Sequence, residues 1–375
     1  MDYAKAALKS HRANKGKLEV KSKVPVTNKD ELSIAYTPGV AAVSSAIADD
    51  RSLVKELTWR ANTIAVISDG SSVLGLGNIG PEAAIPVMEG KCILFKEFAG
   101  VDAVPIVIAT QDPDEFVRTV INIAPSFSGI NLEDISAPRA FEIETRLQDE
   151  LDIPVFHDDQ HGTAIVILAA LINAAKVKGE QLSSMRVVIN GAGAAGIASA
   201  KLLFNFGIRN LLLLDSKGII SSDRELPKHK KELLEFTNAD NLSGSLTDAM
   251  RDADIFIGVS RGDLVSEAMV ESMSTDPIII AMANPIPEIM PDAAIKAGAL
   301  IVATGRSDFP NQVNNVLGFP GIFRGLLDKK VRNVTDEIKV KAAEAIASLV
   351  SKPTTDKIIP SPFNKSVART VAEAV

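Results

Sequence analysis

Four carboxylates in two short segments are the groups best placed to do chemistry in this chain of 375 residues. Glu133 and Asp134 close the apolar stretch of GINLEDI, and Asp158 and Asp159 close that of IPVFHDDQHGT, so each pair stands where a short strand ends. Strand C-terminal ends in α/β sheets face the ligand crevice, which would bring several of these acids together. Neighbours on a regular strand point to opposite faces, so a pair can serve one ion only if the strand ends or twists there. Acids gathered in one place repel. Unless some protonate or separate, a divalent cation must neutralise them, and oxygen donors of this kind suit Mg2+ or Mn2+. Helix capping and loop charge account for the same acids equally well from spacing alone. His157 and His161 raise the possibility of zinc, but with no cysteine nearby, hydrogen-bonding or packing roles are favoured.

Two further side chains have the chemistry of proton transfer. Lys91 opens the apolar run Cys92 to Phe95, read here as a buried strand. It is either a solvated strand end or, in a cleft, a base with a depressed pKa, and its position leaves both open. Tyr36 stands before a Thr-Pro-Gly turn that leads into an Ala-rich helix, where an amphipathic aromatic packing beside the turn is the simpler reading.

The elements that would position these groups are clearest from Met185 to Gly207. Val187 to Ile189 reads as a buried strand, Gly191-Ala192-Gly193-Ala194-Ala195-Gly196 as a tight turn, Ala194 to Phe206 as a helix, and Leu211 to Leu214 as a second strand closing on Asp215. This β-α-β order lets a pyrophosphate rest on free N–H groups at the helix N-terminus, and Asp215, roughly 20 residues on, can accept from the adenosine ribose hydroxyls. A carboxylate there favours NAD over NADP, unless Lys217 turns inward to neutralise it. A second GxGxxG, Gly75, Gly77 and Gly80, is read mainly as a packing turn before a short helix that Pro86 limits. Asn284 follows a later strand, Ile278 to Ala281, and Asn314 and Asn315 lie in a dense loop where helix capping is the commoner role.

The length implies two α/β domains with a cleft between them. A single cysteine, Cys92, excludes an intramolecular disulfide framework and fits a reducing compartment. A net charge of −7 gives no basic footprint for nucleic acid. The charged N-terminal stretch carries no signal core and no stretch reads as membrane-spanning, so a cytoplasmic protein with no membrane contact is expected.

With these residues in order, the sequence resembles the malic enzymes of the short bacterial and archaeal type. The likeness covers nearly the whole chain: AYTPGVA, EGK at Lys91, NLEDI, FHDDQHGTA, GAGAAG, ANP at Asn284 and TGRSDFPNQVNNV. It implies an N-terminal α/β catalytic domain over 1–157 and a C-terminal Rossmann-type doubly wound parallel sheet over 158–375. It further implies decarboxylation of L-malate to pyruvate and CO2 through oxaloacetate, with NAD or NADP and Mg2+ or Mn2+, in a homodimer or larger assembly. By that resemblance Glu133, Asp134 and Asp159 hold the metal, Asp158 is an acid beside them, Lys91 is the base and Tyr36 the proton donor. Asn284 and Asn315 match substrate-contacting positions, and Asn284 also borders the cofactor. Longer members carry an arginine after the Ala-Gly of Ala99-Gly100; here Val101-Asp102 follows, leaving Arg306 as the candidate carboxylate anchor. A nucleotide-sensing module and a metal-free amino-acid dehydrogenase are the rival readings.

Overall fold

The computed structural model describes residues 2–73 and 75–375, so Leu74 of the second glycine turn lies outside them. Two sheets organise the chain. The first is wholly parallel, in the order β2-β1-β3-β4, from β1 (Thr63–Ser68), β2 (Asp102–Val107), β3 (Ile130–Leu132) and β4 (Val155–His157). The second runs β10-β9-β8-β5-β6-β7, from β5 (Val187–Asn190), β6 (Leu211–Asp215), β7 (Gly218–Ile219), β8 (Ile255–Gly258), β9 (Ile278–Ala281) and β10 (Ile301–Thr304). Only β7 is antiparallel to its neighbour. Strands β1, β5, β8, β9 and β10 are buried throughout, as their Val- and Ile-rich runs require when helices cover both faces.

Both sheets contain a switch in strand order, between β1 and β3 and between β5 and β8, and crevices open at such points beyond the strand C-termini. In the first sheet, register pairs Leu132 with His157 at the ends of β3 and β4. The two acid pairs, each next along the chain, therefore emerge side by side. In the second sheet the Asn190 amide donates to Ser260 Oγ at 3.1 Å and ties β5 to the end of β8.

One element departs from expectation. Cys92 to Phe95 is not a strand but part of a helix, Pro81–Ala99, that runs through Pro86. Its buried side chains, Ala84, Met88, Lys91, Cys92 and Phe95, recur at helical spacing and hold it against the first sheet. Pro86 faces solvent, so its missing backbone donor, worth about 3 kcal/mol, is outweighed by packing of the inner face.

The sheets do not divide the core cleanly. Helix Phe319–Lys329, far along the chain, packs Phe319 and Phe323 against Phe95 at ring-centroid distances of 4.7 and 5.2 Å. The boundary expected at 157/158 thus follows the strands but not the C-terminal helices. Between the sheets lies helix Thr163–Lys178; with the preceding turn, Asp158–Lys178 is long and apolar enough to cross a membrane, contrary to expectation, but 72% of that window is buried inside the protein. The N-terminal arm is the opposite case. None of residues 2–62 is buried, although helices Tyr3–Asn14, Lys29–Ala35 and Gly39–Asp49 carry Leu8, Ile34, Val40 and other large apolar side chains.

Candidate active site

The carboxylates converge at the ends of β3 and β4. Glu133, Asp134 and Asp159 each offer an oxygen within 4.8 Å of the others, and no histidine or cysteine joins them among the described residues. Asp134 adopts a left-handed backbone (φ 55°), and its N–H donates to Asp159 Oδ2 at 2.7 Å, which locks the strand ends together. Asn131 donates to Glu133 Oε2 at 2.9 Å.

The second pair splits. Strand β4 stops at His157 and the chain enters one π-helical turn, Asp158–Gly162, so consecutive aspartates reach different partners. Asp159 turns to Asp134, whereas Asp158 accepts from Lys91 Nζ at 2.5 Å and from the side-chain amide of Asn315. Lys91 also lies 2.8 Å from Glu133 Oε1 and 4.2 Å from the centre of the Phe319 ring. Asn314 caps the following turn through Val316 N–H, so of the two asparagines only Asn315 turns to the acids.

Burial and crowding set the charges. Burial first, then neighbouring carboxylates, pushes Asp134 up to about 9 and, against the pull of Lys91, Glu133 up to about 7. Burial likewise raises Asp158 and Asp159 to about 6. Burial alone would depress Lys91, but Asp158 and Glu133 outweigh it and raise its pKa, so in the protein by itself the lysine is charged rather than poised as a free base. Burial drives His157 down to about 4, a neutral packing residue, and His161 Nε2 donates to Glu144 Oε2, 3.0 Å away. Asp134 Oδ2 and Asp158 Oδ1 are buried without a hydrogen-bond partner. A cation bound by Glu133, Asp134 and Asp159 would satisfy the first of these and relieve the repulsion, so the donor set fits a hard divalent ion.

From Asp134 and Asp159 a cavity of about 850 Å3 leads past Thr163 and Asn315 to Asn284 and the glycine turn at Gly193, Ala194 and Ala195. Gly191 has φ 130°, and a Cβ there would meet Val259 O at 2.7 Å; a Cβ on Gly196 would meet Gly191 O at 1.7 Å. The Gly191-Ala192-Gly193 backbone therefore lies against the β8 end, and helix Ala194–Phe206 opens toward the cavity, a geometry suited to a dinucleotide pyrophosphate.

Three residues singled out in the sequence lie apart from the cavity's acid cluster. Asp215 is not free for ribose hydroxyls: Arg224 grips both its oxygens at 2.8 and 2.9 Å, Lys230 reaches it at 2.6 Å, and Lys217 contributes only its backbone N–H. Arg306 is committed to Asp308 and the Pro285 carbonyl, while Arg261 is the only cationic residue among the described residues lining the cavity. Tyr36 is 67% exposed on the N-terminal arm and does not line the cavity. Glu144 was missed. Its signal is a carboxylate on the buried stripe Ala140, Ile143, Glu144, Leu147 of helix Arg139–Glu150.

Two parallel sheets, one ending in a buried acid cluster with its lysine and the other in a glycine turn on the same cavity, define a two-domain dinucleotide-binding α/β protein. The chain belongs to the malic enzyme family. Residues 15–148 match the family's "Malic enzyme, N-terminal domain" and residues 160–375 its "Malic enzyme, NAD binding domain". It is similar to a bifunctional malic/malolactic enzyme of Bacillus subtilis, at 56% identity over 100% of this chain and 92% of that protein. An NAD-dependent malic enzyme of Geobacillus stearothermophilus is 55% identical over 96% of this chain and 76% of the relative. The crystal structure of a malic enzyme from Pyrococcus horikoshii superimposes with a TM-score of 0.96 at 49% identity, over 99% of this chain and 89% of that one.

Proposed function

We propose that this chain catalyses the oxidative decarboxylation of L-malate to pyruvate and CO2, with reduction of NAD or NADP and a requirement for Mg2+ or Mn2+. The observation that carries the reading is one cavity running from Asp134 and Asp159, against which Glu133 and Lys91 are packed, to Gly193, Ala194 and Ala195 of the glycine turn. A cation held by Glu133, Asp134 and Asp159 would supply charge stabilisation at the substrate oxygens, and a dinucleotide at the glycine turn would supply the hydride acceptor. Lys91 takes the C2 hydroxyl proton, and Asp158, in direct contact with Nζ, relays it. Asn315 holds Asp158, and both it and Asn284 line the cavity, where they are assigned to substrate contact. Loss of CO2 from oxaloacetate leaves enolpyruvate, and Tyr36 returns a proton to C3. The test is malate with Mn2+ and NAD+ or NADP+. Reduced nicotinamide that appears only with metal supports the reading, and metal-independent or ammonia-dependent turnover defeats it.

Tyr36 does not line the cavity of its own chain, which favours a site on another molecule against which its arm docks. An exposed apolar arm of this extent fits burial in a homodimer, with the tyrosine of one copy completing the cavity of the next. Mixing inactive Lys91→Ala and Tyr36→Phe proteins under subunit exchange should then restore turnover, because one site of each hybrid regains both groups. If tyrosine and lysine came from the same chain, the hybrids would stay inactive.

The ion pairs on Asp215 bear on cofactor choice. NAD is the expected preference, and neutralisation by Arg224 and Lys230 lowers the barrier to a 2′-phosphate. Arg224→Ala should raise KM for NADP+ by about tenfold or more while that for NAD+ moves less than about threefold. Equal changes for the two would show that Arg224 only supports the loop. A cytoplasmic location, where nicotinamide cofactors are at hand and Cys92 stays reduced, fits this activity.

A further inference from the structure

Asp158 and Asp159 adjoin in sequence yet serve different partners, one the lysine and the other the acid cluster. That division depends on the chain leaving β4 abruptly and making a π-helical turn at Asp158–Gly162. Such turns are rare and wider than an α-helical turn, and something outside must hold them. Here one carboxylate does so. Glu144, 5% exposed on helix Arg139–Glu150, accepts from His157 N–H at 2.9 Å and from the Gln160 amide at 3.2 Å, and its Oε2 lies 3.0 Å from His161 Nε2. It thus grips the last residue of the strand, the middle of the turn and the residue before its end. No bond joins Glu144 to Lys91, Glu133, Asp134, Asp158 or Asp159, so it acts on them only through the backbone it holds. Burial alone would raise its pKa, but the contact with His161 outweighs this and lowers it, so the carboxylate is ionised, the state that accepts all three contacts.

We propose that Glu144 is a positioning residue of the active site, which holds the Asp158–Gly162 turn so that Asp158 meets Lys91 while Asp159 meets the cation. The inference rests on the proposed metal site at Glu133, Asp134 and Asp159. Glu144→Ala should weaken Mn2+ binding, followed by the electron paramagnetic resonance of free Mn2+ without malate or nucleotide, by about 10- to 100-fold. Its kcat should fall over the same range, while the dissociation constant for NAD+ stays within about threefold. Glu144→Gln keeps an acceptor for His157 N–H and a hydrogen-bonding group beside His161 Nε2, and should recover most of the lost affinity. A merely structural role predicts a lower melting temperature of the metal-free protein with wild-type Mn2+ affinity and kcat, and that result overturns the proposal. Should Glu144→Ala not fold, Gln160→Ala severs one of the three contacts and should still weaken Mn2+ binding by about threefold or more, at the small end of the scale for such outer partners. Wild-type Mn2+ affinity in Gln160→Ala would then overturn it. Asp159→Asn run alongside separates the two claims: Mn2+ affinity lost there but intact in Glu144→Ala defeats the positioning role alone, and affinity intact in both defeats the metal site with it.

Discussion

Lys91→Ala should slow malate oxidation by about 10²- to 10⁴-fold, the scale for loss of a positioned general base. The expectation follows from the placement of Nζ, 2.5 Å from Asp158 and 2.8 Å from Glu133 on the buried face of its helix. In the protein alone these carboxylates keep the lysine charged. A divalent cation that claims Glu133 removes one of its two counter-ions, so the same site that holds the ion lets Lys91 give up its proton. The glycine turn lies at the other end of the cavity, so dinucleotide affinity should be unaffected, as fluorescence titration with NADH would show. Removal of the ammonium also strands buried carboxylates, which costs on the order of 3–5 kcal/mol when nothing replaces it. The variant should therefore be less stable without metal, and Mn2+ should restore part of the difference. Malate oxidation within about threefold of wild type would remove Lys91 from the base role.

Asp159→Asn should abolish tight Mn2+ binding and reduce turnover by at least about 10²-fold, since it removes an ion ligand rather than an outer partner. Its signature is also written in pH. Burial and mutual repulsion raise Asp134 to about 9, Glu133 to about 7 and Asp159 to about 6, against about 4 for carboxyls in an unfolded chain. From about pH 4 to 9 the folded metal-free protein therefore binds more protons than the unfolded chain, and its stability falls as pH rises through that window. A cation reverses this, because it takes the deprotonated carboxylates and its binding releases protons. At one fixed Mn2+ concentration the gain in melting temperature should thus be larger at pH 8 than at pH 6, reaching about 2.7 kcal/mol where that concentration is 100 times the dissociation constant. In Asp159→Asn that gain should vanish, while the metal-free protein becomes more stable at pH 8 because one repelling charge is gone. A gain independent of pH and retained in the variant would place the ion elsewhere.

Much of this site is legible in the sequence because its parts lie where strands end. The NLEDI and HDDQ carboxylates converge since β3 and β4 are paired neighbours in register, and the apolar Ile130 and Leu132 before one pair and Val155 and Phe156 before the other mark those strands. The Gly191 to Gly196 turn is legible because close backbone approach tolerates no Cβ at either end. What escapes is what tertiary packing decides. Lys91 sits in an apolar run that fits strand or helix, and only the burial of Met88, Cys92 and Phe95 on one side chooses the helix. The cations on Asp215 come from a surface excursion 9 and 15 residues away, at no spacing a local pattern would reveal. Glu144 acts through a helix packed beside the turn. Tyr36 is recognisable by its motif, but no residue of the arm that carries it is fully buried within its own chain.

The most direct test of the central claim follows the C4 carboxylate of malate. With [4-13C]malate, Mn2+ and NAD+ or NADP+, one labelled CO2 should be released for each nicotinamide reduced, and both should disappear in Asp159→Asn. Reduced nicotinamide with the label retained in oxaloacetate would mean that the site oxidises malate without decarboxylating it, and would contradict the assignment.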